Sequence, residues 1–160
     1  MKLGFIGTGK ITSSVVTGIC RSKISFKKVI LSPRNRNAAN KLKRQFRKVS
    51  IAKNNQEIVN SCNWVFLAVT PPVGQKIIKH LKFKSNQTIV SFISTMTLPQ
   101  LKKAIKVKAI IARAVPLPPI SLKKGPVPLF PPNKKIKIFF KCSSYIFISR
   151  RQDYLFKRYL

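Results

Sequence analysis

Six short apolar runs, separated by stretches of helix length, restrict the fold of this chain more than any other feature. The runs lie at Leu3–Ile6, Val29–Leu31, Ser50–Ala52, Trp64–Val69, Thr88–Ile93 and Ala109–Ala114, and each reads as a strand. Between them, Lys10–Cys20, Asn37–Arg47, the segment bearing Glu57 and Val59, Val73–Leu81 and Leu98–Ile105 read as helices. Over Asn37–Arg47, the residues Ala38, Leu42, Phe46 and, just beyond, Val49 recur at helical spacing and turn Lys41, Arg44 and Lys48 outward. Trp64–Val69 is apolar on consecutive residues, the pattern of a strand buried on both faces. Strands joined by crossovers of helix length form right-handed βαβ units, which build a parallel sheet with helices on both faces. The expected fold is therefore α/β, a doubly wound, mostly parallel sheet in a single domain.

Beyond Ala114 the pattern changes. Seven of the chain's 11 prolines fall between Pro116 and Pro132. Proline has no N–H for a ladder, so residues 116–132 are expected to be loop with at most short edge strands. Asn133–Lys141 reads as a helix and Tyr145–Ser149 as a last strand; residues 150–160 form a basic tail with no assigned structure.

Lys and Arg number 33 against two acids, Glu57 and Asp153, for a net charge of +31. Such a chain attracts polyanions and strains its own compact state. Two readings stand, a nucleic-acid binder and compositional drift. The basic residues are spread (14 in 1–60, eight in 61–110, 11 in 111–160) and Lys outnumbers Arg, which favours drift, because dedicated binders cluster charge on one face or arm. The densest stretch, Arg34–Lys53, holds eight basic residues in 20. Its one aromatic, Phe46, belongs to the helix's apolar series, so any nucleic-acid binding there would be driven by phosphates and blind to sequence.

Several chemistries are excluded by what the chain lacks. Two acids 96 residues apart (153 minus 57) make a poor glycosidase pair or carboxylate metal site. Cys20, Cys62 and Cys142 are odd in number and too far apart for a zinc knuckle, so they read as structural residues in a reducing compartment, and no metal is expected. His80, the only histidine, reads as a solvated residue late in a helix. The opening MKLGFIGTGK lacks a cleavage pattern, and no apolar run approaches the roughly 20 residues of a membrane span, so a cytoplasmic protein is expected.

Gly7-Thr8-Gly9 sits directly between the first strand and the first helix. In a doubly wound sheet that position holds a pyrophosphate: the first glycine permits the tight turn, the second admits the ligand, and the helix offers free N–H groups and a partial positive charge. The third fingerprint position, ordinarily Gly or Ala, is Thr12. The alternative reading is a plain turn; the strand-turn-helix context favours a dinucleotide. After the second strand comes ILSPRNRN. An NAD site places a carboxylate there for the ribose 2′-hydroxyl, and this stretch has none. Ser32, Arg34 and Asn35 supply a hydroxyl, a fork-shaped cation and an amide, which suit the 2′-phosphate of NADP(H) rather than a mere proline turn with solvated charges.

With that turn, SPRN, NNQEIVNSCNWVFLAVTPP and ARAVPLPPI in this order, the chain resembles the cofactor domain of pyrroline-5-carboxylate reductase from residue 1 to about residue 149. The resemblance implies that residues 1–149 form a Rossmann-type dinucleotide-binding domain. It implies a cofactor site of Gly7, Thr8, Gly9, Lys10 and Ile11 at the first turn, Ser32, Arg34 and Asn35 on the 2′-phosphate, Asn55 on the adenosine, and Ala68, Val69, Thr70 and Pro71 near the nicotinamide. The implied activity is hydride transfer from NADPH to the C=N bond of a small molecule, 1-pyrroline-5-carboxylate, in proline biosynthesis.

Departures from the family pattern fall nearer the chemistry than the cofactor. Lys10 replaces the usual Asn, Thr70 the usual Lys, and Arg113-Ala114-Val115-Pro116-Leu117-Pro118-Pro119 lacks the family's Asn after the first proline. No catalytic side chain is assigned. The family continues into a helical domain that builds the dimer and holds the substrate, where this chain has only RRQDYLFKRYL, so a truncated relative, impaired alone, is expected. A cofactor domain of another NADP-dependent dehydrogenase, or a basic nucleic-acid-binding module on the same scaffold, are the alternatives.

Overall fold

Parallel pairing begins with the first two strands: β1 (Lys2–Ile6) aligns with β2 (Lys28–Leu31) so that Phe5 stands beside Leu31, and on its other edge with β4 (Trp64–Leu67), where Phe5 stands beside Phe66. The computed structural model describes residues 1–141 and 145–148. β3 (Val49–Ile51), β5 (Thr88–Ser91), β6 (Ile110–Ala114), β7 (Pro126–Phe130) and β8 (Tyr145–Ile148) complete one sheet in the order β3-β2-β1-β4-β5-β6-β7-β8. β1 to β6 are parallel, β7 is antiparallel to β6, and β8 is parallel to β7. This is the expected doubly wound sheet, and the order reverses between β1 and β4.

Helices cover both faces. α1 (Lys10–Cys20), α2 (Arg36–Gln45) and α6 (Lys134–Phe140), with a 3-10 turn at Pro118–Leu122, pack on one face through Val15, Val16, Leu42, Ile120 and Phe139. α3 (Asn55–Ser61), α4 (Pro71–Ile78) and α5 (Leu98–Ile105) pack on the other through Ile58, Ile78 and Leu101. Alternate residues of each strand feed alternate cores: Phe5 joins the first, Ile6 the second. On the first face Phe5 and Phe66 stack at 4.4 Å between ring centroids, and Trp64 stacks on Phe139 of α6 at 4.7 Å. α1 lies so close to the 3-10 turn that a Cβ on Gly18 would stand 2.3 Å from the Ile120 carbonyl oxygen.

Three expectations need correction. β7 is an internal strand, not an edge strand, despite Pro126 and Pro128. The carbonyl of Pro128 accepts from Val115 N–H at 3.0 Å, and a residue's N and C=O share one edge of a strand, so the lost donors fall on the β6 side. There the ladder is only two residue pairs long, against four with β8. Second, α2 stops at Gln45: Phe46 is already extended and Val49 belongs to β3, and the buried alanine of α2 is Ala39, not Ala38. Third, His80 lies past the C-cap of α4, exposed, rather than within the helix. The basic tail at 150–160 and Ser149 lie outside the described residues.

Candidate cofactor site

Gly7 leaves β1 with φ +99°, a left-handed conformation that L side chains rarely adopt. A Cβ on it would also stand 2.3 Å from the carbonyl oxygen of Ala68, at the end of β4. Gly9 is the opposite case. Its φ of −96° is open to any residue, and a Cβ on it would meet nothing within 4 Å. Packing therefore demands glycine at position 7 and leaves position 9 facing open space, where a second glycine serves only something that approaches from outside.

That space lies at the start of α1. Gly9 is the N-cap and supplies no side chain to cap the helix, whose first bond runs from Ser13 N–H to Gly9 O at 3.0 Å. The N–H groups of Lys10, Ile11 and Thr12 precede that bond, so the helix presents donors and a partial positive charge. Thr12 is fully buried, and its hydroxyl donates to the Gly7 carbonyl at 2.7 Å. The buried Thr8 hydroxyl donates to the Ser32 carbonyl at 3.0 Å, which ties the turn to the end of β2.

β2 delivers the second group. Ser32 is buried and donates its N–H to Phe5 O at 3.0 Å, while Arg34, Asn35, Arg36 and Asn37 are exposed around the first turn of α2. The Asn35 side-chain oxygen accepts from Ala38 N–H at 3.2 Å as the N-cap of α2. Its amide N–H groups are what remains for a ligand.

α3 delivers the third. Asn54 Oδ1 caps the helix by accepting from Glu57 N–H at 2.9 Å, and Glu57 Oε2 accepts from Lys53 N–H at 2.7 Å, so the one acid among the described residues braces the turn that enters α3. Next in the chain, Asn55 is half-buried and its Oδ1 is buried with no hydrogen-bond partner. Buried acceptors are ordinarily paired, and an unpaired one at a cleft wall fits a donor brought by a ligand. α4 closes the fourth side from its N-cap Thr70. Pro71 and Pro72 remove two of the N–H groups that helix would otherwise present, which leaves α1 as the stronger anion site of the two.

Together these elements enclose a cleft of about 740 Å³ at the carboxyl ends of β1, β2 and β4. Ten expected residues line it: Gly7, Thr8, Gly9, Ser32, Arg34, Asn35, Asn55, Ala68, Val69 and Thr70. Lys10, Ile11 and Pro71 do not; Lys10 is exposed at the head of α1, Ile11 packs against the first core, and Pro71 sits behind Thr70 as the first residue of α4. Four further residues line the cleft that the sequence reading missed. Arg36 and Asn37 simply continue the SPRN stretch into α2, and Val73 and Ile77, four apart on α4, give an apolar wall. No acid lines it. The donor set, the open face of Gly9 and the orphaned Asn55 oxygen fit a dinucleotide with a 2′-phosphate.

Other reactive groups stand elsewhere. Burial pushes the Cys62 thiol up to about 11, against an opposing pull from Lys2, and likewise the Cys20 thiol to about 11 against Lys48. Arg113, buried on β6, donates from Nη2 to the Ser94 carbonyl and is not part of the cleft lining. Among the described residues no three His, Cys, Asp or Glu side chains group to hold a metal, and no helix is long and apolar enough to cross a membrane.

Comparison with known proteins agrees with this geometry. A zebrafish (Danio rerio) protein, pyrroline-5-carboxylate reductase 3, is 28% identical over 128 residues, 78% of this chain and 44% of the relative. The crystal structure of Plasmodium falciparum pyrroline carboxylate reductase with NADP bound superposes with a TM-score of 0.78 at 19% identity, covering 95% of this chain and 58% of that one. A pyrroline-5-carboxylate reductase from Coxiella burnetii gives 0.80 at 20% identity over 94% and 59%. The chain thus spans between two fifths and three fifths of the length of these relatives. The family model described as NADP oxidoreductase, coenzyme F420-dependent, matches residues 2–97, which include the whole cleft, and the chain belongs to that family of NADP-dependent oxidoreductases.

Proposed function

We propose that the cleft binds NADP(H), and that residues 1–149 are the cofactor domain of a reductase of the pyrroline-5-carboxylate type. The observation that carries the binding is the glycine pair: Gly7 is required by the fold, Gly9 only by a ligand. The N–H groups of Lys10 to Thr12 would hold the pyrophosphate, Arg34 and Asn35 the 2′-phosphate, the Asn55 oxygen a donor on the adenosine, and Val69, Val73 and Ile77 would shield the nicotinamide end from water. When bound, the cofactor supplies a hydride, for which the C=N carbon of 1-pyrroline-5-carboxylate is the proposed acceptor in the last step of proline synthesis. The 28% identity to the zebrafish reductase supports that choice of substrate. The exposed Arg34 and the absence of an acid at the end of β2 select NADPH over NADH. The free thiols of half-buried Cys20 and buried Cys62 suit the reducing cytoplasm.

Titration of the chain with NADPH and NADH, followed by nicotinamide fluorescence, tests the reading. NADPH is expected to bind about tenfold or more tighter, and Arg34→Ala to erase that preference by weakening NADPH alone. Equal losses for both cofactors would remove Arg34 from the 2′-phosphate, and no binding of either would remove the cofactor from the cleft.

A further inference from the structure

Lysine is spread over the whole surface, but arginine is not. Of six arginines among the described residues (Arg21, Arg34, Arg36, Arg44, Arg47 and Arg113), four lie on α2 or its flanks. Arginine is the residue suited to phosphate, through its planar fork of donors and its weak hydration. Arg34 and Arg36 line the cofactor cleft. From there the surface continues without a break: Asn37 belongs both to the cleft and to a depression of about 670 Å³ that also holds Lys41 and Arg44. Lys41 and Gln45 in turn belong both to that depression and to a groove of about 350 Å³ between α1 and α2, whose opposite wall carries the hydroxyls of Ser13, Ser14 and Thr17.

We infer that this track is a docking surface for the phosphate backbone of a single-stranded nucleic acid. Its cations are exposed and uncompensated, because Glu57, the one acid among the described residues, is on α3 across the sheet with its carboxylate turned to Lys53 N–H. Between them stand the amides of Asn37, Asn40 and Gln45 and the hydroxyls of Ser14 and Thr17 as donors to phosphate oxygens, while the Ser13 hydroxyl already donates to Gly9 O at 3.0 Å. Arg36 and Arg44 are eight residues apart on one helix, about 12 Å, a span that phosphates two steps apart on an extended strand can bridge. The track runs into the furrow between the neighbouring helices α1 and α2, and a single strand rather than a duplex is the occupant inferred for it. No aromatic side chain lines it, so the contact carries no base stacking and no sequence preference. Because Arg34 and Arg36 serve both the cleft and the track, NADP(H) and nucleic acid exclude one another; only this exclusion rests on the proposed function.

A fluorescent 20-nucleotide oligo(U) binding to the full chain, followed by polarisation, is the test. Lys41→Ala with Arg44→Ala is expected to weaken it about tenfold or more and to leave NADPH affinity unchanged, whereas Lys102→Ala with Lys103→Ala on α5 changes it less than about twofold. With about four phosphate contacts, affinity should fall about 50-fold between 50 and 200 mM salt. Saturating NADPH should displace the oligonucleotide. Equal losses from the two double variants would assign the binding to diffuse charge and overturn the track. Equally tight binding of duplex RNA, or of polyglutamate, would overturn the strand-sized groove or the choice of nucleic acid. If NADPH binds but does not displace the oligonucleotide, the shared arginines are wrong; if NADPH alone does not bind, the cofactor reading fails and the α2-against-α5 contrast still decides the track.

Discussion

The hydroxyl of Thr12 reaches back along the first turn of α1 and donates to the carbonyl oxygen of Gly7 at 2.7 Å. A Gly or Ala at this position would leave that carbonyl without the bond; the β-branched residue fits because its hydroxyl replaces what its bulk takes away. Thr12→Val keeps the shape and strips the donor, so it should cost about 1–3 kcal/mol in denaturant unfolding and loosen the turn that shapes the anion site. Thr12→Ser keeps the donor and should retain most NADPH affinity. If Val and Ser variants bind NADPH alike, the hydroxyl does not position the turn.

Gly7 and Gly9 separate fold from binding. Gly7→Ala forces a side chain into a left-handed φ and into the Ala68 carbonyl, and should destabilise by several kcal/mol, on the order of 2–4, or prevent folding. Gly9→Ala should change the unfolding free energy by less than about 0.5 kcal/mol and yet reduce NADPH affinity about tenfold, since the methyl occupies the space left for the ligand. A Gly9→Ala protein that binds NADPH normally would show that nothing approaches the turn there.

Adjacent asparagines should behave in opposite ways. Asn54→Ala removes the cap of α3 and should cost about 1 kcal/mol of stability. Asn55→Ala removes an acceptor that has no partner in the free protein, so it should be neutral or slightly stabilising while weakening NADPH. Chemical denaturation and cofactor titration of the two variants side by side decide it; a destabilising Asn55→Ala would mean that its oxygen already serves the fold.

The buried thiol of Cys62 sets a pH dependence. Cys62 has its pKa raised from 9.0 to about 11, so the folded state holds its proton where the unfolded state has lost it. Its contribution to stability is complete below about pH 9 and is lost as pH rises through 9 to 11. Wild type should lose more stability over that window than Cys62→Ala. At pH 7.5, iodoacetamide should leave the Cys62 peptide unmodified in mass spectrometry until the chain is unfolded.

What the sequence revealed follows the physics of each signal. Strands such as Trp64–Leu67, buried on both faces, announce themselves as unbroken apolar runs, and the glycine turn is legible because it falls between two periodicities. The edge placement of residues 126–130 was misjudged because proline spacing was read without parity: with Pro126 and Pro128 two apart, every lost donor points to one neighbour and the other edge pairs freely. Arg36 and Asn37 were passed over because their place in the cleft depends on the direction in which α2 leaves β2, which a linear motif does not encode. Gln87 shows only half of its role locally: its Oε1 accepts from Lys84 N–H at 2.8 Å, but its buried amide donates to Val59 O at 2.6 Å and Cys62 O at 2.8 Å, acceptors more than 20 residues away.

Every residue that lines the cleft falls between Gly7 and Ile77, whereas β5 to β8 and the helices among them contribute none. The chemistry of the proposed cofactor cleft is thus encoded in the first half of the chain. Substitutions in the second half that preserve the sheet's stability therefore leave the cleft wall chemically unchanged.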